Sequence, residues 1–181
     1  QSTVDDTLAG FTEKNDDGTY NMQGAAVTID NNTGYVVAIV GGRDQDFNSY
    51  TLNRAFQSHR QPGSSIKPLI VYTPAFERGY DPNTIVDDHK FEGGPSNATN
   101  TYAGKIPLRY AVAKSLNTVA WQVYEQVTPK VGLQYLKNMN FSSIVKDDYT
   151  LATSLGGFTK GVSPLEMASA YTALENDGMF R

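Results

Sequence analysis

Ser64 and Lys67 stand three residues apart in the stretch Arg60-Gln61-Pro62-Gly63-Ser64-Ser65-Ile66-Lys67-Pro68. A serine hydroxyl is a weak nucleophile until a base takes its proton, and a lysine amine can be that base where histidine is not at hand. On a helix, residues i and i+3 share a face, so the spacing pairs Lys67 with Ser64 and points Ser65 elsewhere. A lysine base must be neutral part of the time. Starting near pKa 10.4, neutrality near pH 7 needs a shift of about three units, roughly 4 kcal/mol. A helix N-terminus supplies about 1 kcal/mol of that. Burial and a second nearby cation are expected to supply the rest. The unpaired N–H groups of the first turn make Pro68 tolerable and can help stabilise an oxyanion forming at Ser64. The structural alternative is that Ser64 only caps a helix behind a Pro-Gly turn.

The spacing by itself is not specific. With 12 serines and 9 lysines in 181 residues, about 0.6 Ser-x-x-Lys occurrences are expected by chance. A second one, Ser143-Ile144-Val145-Lys146, lacks the Pro-Gly turn and reads as accidental. Ser115-Leu116-Asn117 is equally cheap and, alone, reads as a break between two helices.

Several elements must position these groups. Ala25–Ile29 and Tyr35–Val40 are β-branched apolar runs joined by Asn31-Asn32-Thr33-Gly34, which predicts an antiparallel hairpin. Both runs are nearly continuous in apolar residues, so the pair is expected to be covered on both faces. Ile66, Leu69, Ile70, Thr73 and Phe76 follow helical spacing, predicting a helix over 64–78 that Gly79 stops. Residues 43–61 and 80–105 read as irregular. Pro107 reads as a first helical position before Leu108–Lys114. Helices are expected over 118–126 and 129–139, with Trp121 in the core. Ser163-Pro164-Leu165-Glu166 is a capping box that opens a final helix, so Glu166 has a structural task. Ser2 is expected to cap a short helix reaching about Phe11. With a hairpin first and helices grouped after it, the chain reads as α+β. Two strands make a poor sheet, so the sheet wants more strands than the chain supplies.

Composition narrows the function classes. A formal net charge of -4 with no basic field argues against nucleic-acid binding. There are no cysteines, and His59 and His89 lack ligand-spaced partners, so neither metal nor cofactor is expected. No apolar run approaches a membrane span.

The two cheap motifs come in order, 51 residues apart, and their flanks match a known family. "AAVTIDNNTGYVVAIVGGRD", "FNSYTLNRAFQSHRQPGSSIKPLIVYTPAFERGY", "GKIPLRYAVAKSLNTVAW" and "LGGFTKGVSPLEMASAYTALENDG" resemble the N-terminal part of the transpeptidase domain of class A, bifunctional penicillin-binding proteins. These stretches cover about half the chain. "RQPGSSIKP" and "GVSPLEMASAY" are the most specific. The resemblance implies a β-lactamase/transpeptidase-like fold: an antiparallel sheet packed between helices, plus an all-helical subdomain. It also implies a helix or linker over 1–23 and the transpeptidase domain over 24–181, with only part of the sheet present.

For chemistry, the resemblance implies that Ser64 is the nucleophile forming an acyl-enzyme and Lys67 its base. It implies that Ser115 relays a proton to the leaving group, and that Asn117 binds the donor peptide's amide and orients Lys67. Leu116 stands where the related pattern has Asp. The third motif of the family, Lys-Thr/Ser-Gly on a later strand, is absent, and Lys160-Gly161-Val162 is not it. The C-terminal Arg181 suits a trypsin-like cut, so a nicked domain with its other piece still bound is expected. The implied partners are stem peptides ending in D-Ala-D-Ala, an amine acceptor, β-lactams and that remaining piece. The implied location is the extracytoplasmic face of a bacterial membrane, anchored outside the chain, with a glycosyltransferase domain upstream. D,D-carboxypeptidase, β-lactamase and a non-catalytic β-lactam sensor are the alternatives.

Overall fold

The computed structural model describes residues 1–45 and 51–180. Positions 46–50 of the stretch read as irregular therefore lie outside the described residues. In chain order the elements are α1 (Ser2–Thr7), β1 (Ala26–Ile29), β2 (Val36–Val40), a helical run over Gly63–Glu77 whose last part is α2 (Thr73–Glu77), β3 (Ile85–Asp88), β4 (Gly104–Pro107), α3 (Leu108–Ala113), α4 (Asn117–Val127), α5 (Pro129–Asn138), two 3-10 turns, and α6 (Pro164–Glu175). They form two compact units, Gln1–Arg60 with Val162–Arg181, and Gln61–Gly161. The architecture is α+β, as the order of strands and helices in the sequence implies.

In the first unit, β1 and β2 pair antiparallel, with Ala26 opposite Val40 and an irregularity after Thr28. The connection is an Asx turn: Asp30 Oδ1 accepts from the Asn32 N–H at 2.8 Å, and Gly34 takes φ +74°. The expectation of cover on both faces is not met. Tyr35 is 73% exposed and Val37 61%, because among the described residues no third strand pairs with this hairpin and α6 packs against β1. The capping box holds. The Glu166 N–H donates to Ser163 Oγ at 3.2 Å, and the Ser163 N–H donates to Glu166 Oε2 at 2.7 Å. Arg60 and Val162 exchange two backbone hydrogen bonds. The first helix starts one residue earlier than expected, with Gln1 at the cap and Ser2 inside it.

The second unit has a helical core. Ile66, Leu69 and Ile70 are fully buried with Val119, Tyr124, Leu133 and Leu136. The helix expected over 64–78 is present in three geometries: a 3-10 turn at Gly63–Ile66, a wide i→i+5 turn at Pro68–Tyr72, and α2. Pro74 accounts for the wide turn. It has no N–H to give and its ring crowds the carbonyl of Ile70, so the regular ladder cannot run through. Thr73 caps this turn instead, its N–H and its Oγ1 both donating to the Pro68 carbonyl. α4 and α5 pack on the run.

Two strands were not legible in the span read as irregular. β3 and β4 pair antiparallel from Ile85 opposite Pro107 to Asp88 opposite Gly104. Their residues do not alternate cleanly; Asp87-Asp88 and Lys105 hide the pattern. Pro107 ends β4 and sits at the cap of α3, one position before the helix.

Candidate active site

Ser64 lies in the 3-10 turn and is exposed; Lys67 follows directly and is only 1% exposed. The tight turn sharpens the sequence argument, because in a 3-10 helix side chains at i and i+3 eclipse one another. The Lys67 N–H closes the turn on the Ser64 carbonyl. The neighbouring Ser65 is engaged differently: its Oγ donates to the Pro62 carbonyl at 2.6 Å. Gly156 lets this turn seat closely. It has φ +87°, and a side chain there would fall on the backbone of Gly63.

The Lys67 amine reaches the junction of α3 and α4. Nζ donates to the Ser115 carbonyl at 2.7 Å, to Ser115 Oγ at 3.1 Å and to Asn117 Oδ1 at 2.8 Å. An ammonium has three N–H donors, and these three acceptors match them. A neutral amine would instead accept from Ser115 Oγ–H while donating to the other two. The same cage therefore serves both protonation states. Burial pushes the Lys67 pKa down to about 8. The cation expected to assist contributes nothing among the described residues.

Ser115, which presents two atoms to the lysine, follows the end of α3. It has φ +52°, the left-handed conformation usually left to glycine at a helix end. The Ser115 N–H returns to Val112 O and the Leu116 N–H to Ala111 O, both at 3.0 Å. This is a Schellman ending of α3 with serine in the glycine place. What reads in sequence as a break between helices is thus a shaped turn.

Asn117 opens α4. Its side chain is held at both ends, Oδ1 by Lys67 and Nδ2 by the Ser96 carbonyl at 2.9 Å. The residue before it, Leu116, offers no side-chain cap. Asn97 supplies one from the preceding loop: its Oδ1 accepts from the Asn117 N–H at 2.8 Å and the Thr118 N–H at 3.3 Å. Asn97 Nδ2 donates to Asp88 Oδ1 at 2.7 Å and to the Thr101 carbonyl at 3.0 Å. Asp88 is buried, and also accepts from Thr118 Oγ1 and from the Ala103 N–H. Burial raises its pKa, but these hydrogen bonds outweigh it and hold the carboxyl below the ordinary value.

The structure thus brings Lys67, Ser115 and Asn117 into contact and places Ser64 one turn ahead of the lysine. The other Ser-x-x-Lys is built differently: Ser143 Oγ donates to the Gly161 carbonyl and Lys146 is exposed. Sequence reading missed Asp88, Asn97 and Gly156. Asn97 lies in the span read as irregular, and nothing local ties it to α4, twenty residues on. Among the described residues no group of three or more His, Asp or Glu could hold a metal, and no helix is long and apolar enough to cross a membrane.

Fold and site together define a transpeptidase domain. The family model for the penicillin binding protein transpeptidase domain matches residues 24–181, and the chain belongs to that family. Its relatives include class A members. Penicillin-binding protein 4 of Bacillus subtilis (strain 168) is 38% identical over 164 residues, 88% of this chain and 26% of its own length. Penicillin-binding protein 1A/1B of the same organism is 35% identical over 184 residues, 98% of this chain and 19% of its own length. The chain therefore spans about a fifth to a quarter of these relatives. A crystal structure of penicillin-binding protein 1A from Haemophilus influenzae matches with TM-score 0.72 and 27% identity, over 91% of this chain and 26% of that one. The PonA1 protein from Mycobacterium tuberculosis, in complex with penicillin V, matches all of this chain and 50% of its own with TM-score 0.78. At 23% identity, that last likeness is one of fold.

Proposed function

We propose that this chain carries the acylating site of a serine D,D-transpeptidase that cross-links peptidoglycan stem peptides and is inhibited by β-lactams. The observation that carries the reading is the buried Lys67 amine, caged by Ser115 and Asn117 one 3-10 turn after an exposed Ser64. Neutral Lys67 turns its lone pair from the Ser115 hydroxyl to Ser64 and takes the Ser64 proton as Oγ attacks the penultimate D-Ala carbonyl. The peptide C–N bond breaks, and a proton passed from Lys67 through Ser115 Oγ leaves with D-Ala. An amine of a second stem then attacks the ester, giving up its proton by the same route, and Ser64 is regenerated. Asn117 keeps the lysine on Ser115, and its second Nδ2 hydrogen is available to the donor peptide. A β-lactam amide opens on Ser64 in the same way; a fold relative has been solved with penicillin V.

Residues 1–23 act in this reading as a lead into the domain at 24–181. A segment outside the chain supplies the Lys-Thr/Ser-Gly strand, with an oxyanion donor and a second cation. Two features support that: burial alone takes Lys67 only to about 8, and Tyr35, just before β2, and Val37 within it stand uncovered. The working place is the extracytoplasmic face of the membrane.

The test is labelling of the longer protein by a fluorescent penicillin. Labelling that is lost in Ser64→Ala supports the reading; labelling that persists in Ser64→Ala overturns it. D-Ala release from a stem-peptide analogue that yields a cross-linked product when an amine is added supports transfer. Release that yields only hydrolysed peptide replaces transfer by a carboxypeptidase.

A further inference from the structure

The geometry points to Asp88 and Asn97 as positioning residues for acylation: together they set the start of α4, and through Asn117 they set where the Lys67 amine stands. This rests on the reading of Ser64 and Lys67 given above.

Asn117 is tied to the loop before β4 by two bonds of different kinds. Its backbone N–H goes to Asn97 Oδ1, and its side-chain Nδ2 goes to the carbonyl of the adjacent Ser96. Backbone and side chain are therefore referenced to one dipeptide, and the remaining atom, Oδ1, is what Lys67 meets. The Asn97 amide has only one orientation open to it. Its oxygen faces two helix N–H groups and its nitrogen faces a carboxylate and a carbonyl. A flip would set donor against donor and oxygen against oxygen. Asp88 fixes that orientation, and is fixed in turn by Thr118, on the first turn of the same helix, and by Ala103. A local Ser or Asp at position 116 would have capped α4 as well. Capping from a distance, through a buried carboxylate, adds what a local cap cannot: it locks the helix start to the loop that also holds the Asn117 side chain.

A cap that merely stabilised α4 would add its effect to that of Asn117, whereas a residue acting through Asn117 would not. The experiment is a double-variant cycle in the longer protein, reading the second-order rate of acylation by fluorescent penicillin. Asn97→Ala is expected to slow acylation about ten- to a hundredfold, Asn117→Ala at least as much, and the pair no more than about twofold beyond Asn117→Ala alone. Multiplying effects, or a wild-type rate in Asn97→Ala, would overturn the proposal. If Asn97→Ala does not fold, or Asn117→Ala leaves no measurable rate, an exchange of the pair decides. Asn97→Asp keeps the acceptor toward α4 but sets two carboxylates together, so it should acylate slowly. Adding Asp88→Asn restores a donor between them, while the Thr101 carbonyl still faces an oxygen, so the rate should recover in part, at least several-fold over Asn97→Asp. No recovery, or no loss in Asn97→Asp, overturns the link to Asp88. Ser64→Ala separates the two levels. Labelling that survives it overturns the site and this proposal together; labelling that it abolishes, with Asn97→Ala unaffected, overturns this proposal alone.

Discussion

Lys67 Nζ donates to two atoms of one residue, the carbonyl oxygen of Ser115 at 2.7 Å and its Oγ at 3.1 Å. Both acceptor atoms belong to a residue in the left-handed conformation, with φ +52°. For a residue with a Cβ, the left-handed conformation costs about 1–2 kcal/mol. The site therefore holds local strain at the residue proposed to move the proton.

That strain makes Ser115→Gly and Ser115→Ala differ in a telling way. Both remove Oγ and should slow penicillin acylation by orders of magnitude. Glycine relieves the backbone and alanine does not, so Ser115→Gly should be the more stable by about 1 kcal/mol, or about 2–4 °C in melting temperature. Thermal melts of the two variants check this. Equal melting temperatures would mean that the left-handed turn carries no strain.

The lysine predicts two pH dependences. Its burial sets the pKa at about 8. If the neutral amine is the base, acylation should rise about tenfold per pH unit below that value and level off above it. Stability should follow the same group. The unfolded chain keeps this proton to about 10.5, and the folded chain releases it near 8. Between those values the unfolded state binds more protons, so stability rises with pH. The burial penalty, roughly 3 kcal/mol, is present in full below pH 8 and relieved above it. Lys67→Met should lose that rise. Urea melts between pH 7.5 and 9.5 measure it, below the range where the buried tyrosines, whose pKa values are raised, act in the opposite sense.

Gly156→Ala should disable the site without touching a reactive group. The added methyl meets the backbone of Gly63, at a φ of +87° that alanine adopts poorly. Strain and overpacking together suggest a loss of about 2–4 kcal/mol. The 3-10 turn bearing Ser64 is the part that must move, so penicillin labelling should fall even in the fraction that stays folded. A variant that folds and labels like the parent would show that the turn can shift at no cost.

Much of this was legible wherever one stretch of chain determines its own structure. The hairpin around Gly34 and the Ser163–Glu166 capping box are local statements, and the structure repeats them. What was not legible depends on distant partners. β3 and β4 carry charged residues that mask alternation, and each becomes a strand only beside the other. Asn97 caps a helix twenty residues ahead, which no local pattern announces. Ser115 reads as a break between helices and is a left-handed residue that closes α3. Pro74, inside a sound helical pattern, changed the pitch of the run without ending it. Cover for β1 and β2 was expected from their apolar residues, yet among the described residues α6 packs against β1 and no third strand pairs with them.

Asp88 gives a last prediction, independent of catalysis. Its carboxylate is buried and met by Thr118, Asn97 and Ala103. Removing it in Asp88→Ala leaves two buried donors, from Thr118 and Asn97, and the more exposed Ala103 N–H without this acceptor, a loss of about 2–3 kcal/mol. The acid limb carries the signature. Burial raises the Asp88 pKa, but the hydrogen bonds win and hold it below the ordinary value, so the folded state binds fewer protons than the unfolded one as pH falls through about 4. The stability that this carboxylate contributes is fully present above that range and is lost as pH drops through its lowered folded value. Denaturant melts from pH 6 to pH 3 should show the parent losing more stability than Asp88→Ala, so that the two curves converge. Parallel curves would mean that the ionised form gains nothing from its three donors.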